Sequence, residues 1–90
     1  MSALMITYDL KKPGQDYKSL HAAIKGLGST WWHYLESTWI VVTPKTPSLT
    51  WDALAPHVDK NDNLLIVNVT SDSTAGWLPP DAWSWIQANV

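Results

Sequence analysis

Leu4-Met5-Ile6-Thr7-Tyr8-Asp9-Leu10 decides the fold class. Leu4, Ile6, Tyr8 and Leu10 fall on one side of an extended chain and Met5, Thr7 and Asp9 on the other, the period-2 alternation of a strand with one buried face. Lys11-Lys12-Pro13-Gly14 breaks it, because Pro and Gly close off strand and helix alike. From about Gln15 the period changes. Tyr17, Leu20, His21, Ile24 and Leu27 recur at the spacing of one helix face, and Gly26 and Gly28 supply the stop.

Downstream the pattern returns to strands. Residues 30–35 and 38–43 are rich in aromatic and β-branched types and read as an antiparallel hairpin, with Glu36-Ser37 at the turn. Pro44 and Pro47 end it. A short second helix carries Trp51, Leu54 and Val58, with Ser48 or Thr50 as its cap, and Pro56 kinks or shortens it by lacking a backbone donor. After the polar loop 59–63, the apolar run 64–70 reads as a central strand. Pro79-Pro80-Asp81 opens a terminal helix whose bulky positions are Trp83, Trp85 and Ile86. Strand, helix, hairpin, helix, strand and tail is the order of a split β-α-β unit. The expected fold is therefore α+β: one ferredoxin-like β-α-β-β-α-β sandwich over residues 1–90 with a short C-terminal helix. Both crossover helices would lie on one sheet face. The other face would stay open, carrying Met5, Thr7 and Asp9 with either the Trp32/Tyr34 or the Trp31/His33 set, an apolar surface that signals dimerisation.

Composition bounds the function. Ninety residues suffice for one domain and bury only roughly 60–65% of the unfolded surface, a margin that dimerisation often widens. There is no cysteine, hence neither disulfide nor thiolate metal site. The N-terminus lacks the pattern of a signal peptide and no apolar run approaches a membrane span, so the expected setting is soluble, cytoplasmic and free of the membrane. Six lysines, no arginine and a net charge of −2 count against strong duplex binding, which rests on phosphate neutralisation and the arginine fork. A local patch at Lys11, Lys12, Lys18 and Lys25 keeps a weak nucleic-acid contact in view. Seven tryptophans stand beside no phenylalanine. They read either as core filling or as an interface or stacking surface for a planar ligand.

Ile6-Thr7-Tyr8-Asp9-Leu10 followed by Lys12-Pro13-Gly14-Gln15-Asp16-Tyr17 resembles the start of a family of small proteins grouped as the SinR family, itself similar to the CRISPR adaptation small subunit. Leu35-Glu36-Ser37-Thr38-Trp39-Ile40-Val41 is similar to that family's second-to-third strand segment, and Asn61-Asp62-Asn63-Leu64-Leu65 to the start of its fourth strand. The resemblance covers about residues 3–70. It implies a ferredoxin-like protomer and a homodimer through sheet faces. In the CRISPR relatives an acidic residue ending the first strand lies near the dimer axis and is the proposed magnesium ligand of a nuclease, and by position that residue is Asp9. The chain departs from those relatives in its basic surface: Lys11 and Lys12 stand where arginines are usual.

The residues alone leave Asp9 two roles. It either caps the following loop by accepting from N–H groups near residues 11–14, or pairs with its dimer mate around one hard cation. His21 reads as a bonded semi-core residue, His33, among Trp31, Trp32 and Tyr34, as an acid/base or a pH-sensitive interface group, and His57 as solvent-facing. Aromatics with a few lysines suit stacking a base and meeting a phosphate. The ligand-binding set so expected is Tyr8, Lys11, Lys12, Trp32, His33 and Trp39, with no catalytic residue and Asp9 as the metal position. The expected function is a non-catalytic homodimeric module for a small nucleotide or protein partner. The competing one is a magnesium-dependent nuclease or nucleic-acid-binding protein using Asp9 at the dimer axis.

Overall fold

A computed structural model describes residues 1–11 and 17–90. The chain runs through β1 (Ser2–Asp9), α1 (Lys18–Lys25), β2 (Thr30–Leu35), β3 (Thr38–Thr43), α2 (Pro47–Leu54), β4 (Asn63–Asn68) and α3 (Pro80–Asn89). The strands form one four-stranded sheet in the order β2-β3-β1-β4. Every neighbouring pair is antiparallel. The architecture is α+β, a four-stranded antiparallel sheet with three α-helices. No described helix is long and apolar enough to cross a membrane.

The alternation of β1 sorts its side chains between two cores. Leu4, Ile6 and Tyr8 join Trp39 and Val41 of β3 beneath Leu20, Ile24 and Leu27 of the α1 region and Leu54 of α2. The periodicity of α1 is realised in Leu20 and Ile24, both buried, while its start near Gln15 lies outside the described residues. Gly26 caps α1 in a right-handed conformation, so the helix does not stop through a left-handed glycine. Gly28 is required for a different reason: a Cβ there would lie 1.8 Å from the carbonyl oxygen of Val42. That close approach lets the Ser29 N–H donate to the same carbonyl and delivers the chain into β2.

α2 starts earlier than the expected caps. Thr46, rather than Ser48 or Thr50, accepts the Leu49 N–H at 3.2 Å, and Pro47 occupies the first helical position, where its missing donor costs nothing. Thr50 is instead buried inside the helix. Pro56 acts as expected: α2 ends at Leu54 and a single 3-10 turn, Ala55–His57, follows.

Two expectations are corrected by the second core. β4 is not a central strand; among the described residues β1 is its only partner, and Leu65 is 59% exposed. Nor is the second sheet face wholly open. It carries the Trp32/Tyr34 set, and α3 folds back over one end of it, packing Ala82 and Ile86 against Ala3, Ile40 and Trp32. Trp32 Nε1–H donates to the Ala82 carbonyl at 3.2 Å and Trp85 Nε1–H to Thr30 Oγ1 at 3.0 Å. The terminal tryptophans are therefore consumed by the chain's own sheet. What remains uncovered is the other end of that face, around Thr7, Thr38, Tyr34 and Leu65.

Candidate functional site

Where β1 ends, the sheet opens into a cleft of about 610 Å3 lined by Tyr8, Asp9, Leu10, Tyr17, His21, Glu36 and Ser37. Three elements build it. β1 delivers Tyr8 on its core face and Asp9 on the opposite one. The helical spacing of α1 puts His21 one turn beyond Tyr17, both turned toward β1. The β2–β3 turn supplies Glu36 and Ser37, held by the Tyr8 N–H donating to the Ser37 carbonyl at 3.1 Å.

A bonded aromatic cluster backs the floor: Tyr8 and His21 line the cleft, and buried Trp39 lies beneath them. Trp39 Nε1–H donates to the Tyr8 hydroxyl oxygen at 2.9 Å, and His21 Nε2 stands 3.2 Å from that oxygen. The direction of the Tyr8–His21 bond follows the His21 tautomer, since the phenol oxygen can accept from the indole and still either donate to or accept from the imidazole. Burial pushes the Tyr8 pKa above its ordinary value of 10.0; the indole bond opposes this and the nearby Glu36 charge adds to it. Tyr8 is thus a phenol, not a phenolate, at neutral pH. His33 stacks on Trp39 with ring centroids 3.7 Å apart and planes 14° off parallel. Its Nε2–H donates to the Glu36 carbonyl at 3.1 Å, a partner that can only accept. His21 meets His33 edge-on at 5.8 Å and Trp39 at 5.5 Å.

The mouth is set by Asp62, whose carboxylate ties its own loop to two residues distant in sequence, Lys11 and Tyr17. It accepts the Lys11 N–H at 2.8 Å, the Asp59 N–H at 2.9 Å and the Tyr17 hydroxyl at 3.1 and 3.2 Å. Tyr17 is thereby fixed as a half-buried wall. Asp9 is exposed and forms an ion pair with Lys11 at 2.6 Å.

The expected ligand-binding residues divide accordingly. Tyr8 and Trp39 meet in the floor, with His33 stacked behind them. Lys11 sits at the rim, held by Asp9. Lys12 lies outside the described residues. Trp32 is on the other sheet face, buried under α3 and bonded to a backbone carbonyl, so it is structural in this fold. Asp9 does not take the loop-capping role at Lys11, whose N–H goes to Asp62. Among the described residues, no group of three or more His, Cys, Asp or Glu could hold a metal ion. Sequence reasoning left Tyr17, His21, Glu36 and Asp62 out of the site. The helix periodicity did carry a signal for two of them, because Tyr17 and His21 share the face that must look at β1.

No family model, no curated protein and no solved structure matches this chain.

Proposed function

We propose that this chain is a non-catalytic homodimeric binding module whose cleft takes a nucleobase-bearing small molecule. The observation that carries the reading is the cleft itself, with a bonded Tyr8–Trp39–His21 floor, a Tyr17 wall and two carboxylates at its rim. Its volume lies in the range of small-ligand sites. Tyrosine and imidazole rings offer surfaces on which any base can stack. Glu36 and Asp9 can accept the exocyclic and ring N–H groups of a base. The same carboxylates repel a polyphosphate, so nucleosides and monophosphates suit the mouth better than triphosphates. Binding is favoured over catalysis because the one hydroxyl in the floor is kept protonated and is committed to two partners. Asp9 also favours it: a magnesium ion would have to displace the Lys11 ammonium.

The ferredoxin-like description belongs to the same proposal. It is supported by the β-α-β-β-α-β order and by a sheet of order β2-β3-β1-β4 with antiparallel neighbours. The apolar side chains left exposed at the sheet, Leu35 and Leu65 among them, support a second copy as partner. Titration calorimetry with the common nucleosides and their monophosphates tests the ligand reading. Saturable heat is expected for the wild type, weakened about tenfold or more in His21→Ala, which removes a ring and the Tyr8 partner. Absence of heat with every nucleoside and monophosphate would sink it.

A further inference from the structure

We infer that β4 is a homotypic docking edge, pairing antiparallel with the β4 of a second copy to join two sheets into one. The inference rests on the homodimer part of the reading above and gives it a surface; it is independent of what the cleft binds.

The hydrogen-bond phase of the sheet shows which groups β4 offers. The Val69 N–H donates to the Ala3 carbonyl, while the Tyr8 N–H donates the opposite way, to Ser37 beside β3. With Leu4 opposite Asn68 and Asp9 opposite Asn63, the odd-numbered residues of β4 therefore bond to β1. Leu64, Ile66 and Asn68 turn their N–H and C=O groups outward. Among the described residues β4 pairs with β1 alone, so this row faces away from the sheet.

Natural sheets guard such a row with lysine, proline, a bulge or a covering segment. The opposite edge of this sheet is guarded: the register of β2 against β3 shifts between Trp32 and Leu35, and α3 ties down Thr30 through Trp85. Among the described residues, β4 has none of these devices. Asn63-Leu64-Leu65-Ile66-Val67-Asn68 contains no charge and no proline, and its register with β1 is unbroken.

The strand is also complementary to itself. Place Ile66 opposite Ile66 of the second copy about a two-fold axis, and Leu64 falls opposite the second copy's Asn68. All the outward groups are then used, giving about six backbone hydrogen bonds. In this register Leu65 stands beside the second copy's Val67 in a close, non-hydrogen-bonded pair on the sheet face that α3 leaves uncovered. That contact covers Leu65, among the most exposed aliphatic side chains of the protein. No like charges meet, since the strand carries none. α2, which packs on β4, also leaves Leu49 and Trp51 exposed. An isologous contact of this kind closes at two copies rather than growing into a fibre.

Sedimentation equilibrium on the full chain, with disulfide trapping, tests it. The wild type is expected to be a dimer at micromolar concentration. Leu65→Lys, at an exposed position, should weaken association by about tenfold or more with an unchanged circular dichroism spectrum. The double variant L65C/V67C, in a chain with no other cysteine, should form a covalent dimer on mild oxidation. A wild-type dimer that Leu65→Lys leaves intact and L65C/V67C does not trap would overturn the edge while leaving the homodimer standing. A wild type that stays monomeric overturns both, and growth beyond two copies contradicts the two-fold register.

Discussion

The Tyr8 hydroxyl bears on stability and on the proposed binding alike. Its folded pKa lies above the unfolded value, so the folded state holds the proton more tightly. The stability this contributes is complete below about pH 10 and is lost as pH rises through the folded pKa. Chemical denaturation between neutral pH and strongly alkaline pH should therefore show a falling stability, with a shallower fall in Tyr8→Phe; equal slopes would contradict the assignment. Thr50 illustrates the opposite case, a buried hydroxyl whose Oγ1 has no hydrogen-bond partner among the described residues. Thr50→Val removes the unsatisfied group at nearly constant shape, and should stabilise by about 1 kcal/mol, a rise of roughly 4–8 °C in Tm by thermal circular dichroism. Asp62 is the residue on which the cleft mouth depends. Asp62→Ala removes the shared acceptor of the Lys11 and Asp59 N–H groups and of the Tyr17 hydroxyl, at a cost of about 1 kcal/mol in urea unfolding, and should weaken nucleoside binding by more than the fold alone explains.

At the scale of elements, what was legible in the sequence follows from which forces are local. β1 and the face of α1 could be read because a period of 2 and a period of 3.6 are imposed by each element's own geometry. The stop at Pro56 was legible because a missing donor acts within one turn. The place of β4 was not, since Leu64-Leu65-Ile66-Val67 looks the same in a central strand and in an edge strand with one face on the core. The packing of α3 was equally hidden: Trp83 and Trp85 show that the helix must bury something, without showing that Ala3, Ile40 and Trp32 of the chain's own sheet receive it. Asp62 was the least legible of all, because two of its partners, Tyr17 and Lys11, lie 45 and 51 residues away. Gly28→Ala tests the turn between α1 and β2. Its Cβ meets backbone rather than a flexible side chain, so at least about 2 kcal/mol of destabilisation is expected in denaturant unfolding, and a neutral result would contradict the close approach.

For the whole molecule, the strand order places β1 in the interior of the sheet with its two faces serving different ends. One face and its C-terminal end build the bonded aromatic cleft. The other is partly closed by α3, which confines the uncovered apolar surface to the end near Leu65 and the β4 edge. The cleft and the uncovered β4 edge thus occupy separate parts of the same sheet, so the proposed binding and the proposed association should each be lost without the other. The central claim is that the cleft over Trp39 is the binding site. It is tested most directly by following the tryptophan indole N–H resonances in NMR spectra while a nucleoside monophosphate is added. The Trp39 signal, whose proton is donated to Tyr8, should move saturably, while those of Trp32 and Trp85, bonded on the opposite face, stay in place. An unmoved Trp39 signal, or a response confined to Trp32 and Trp85, would contradict it.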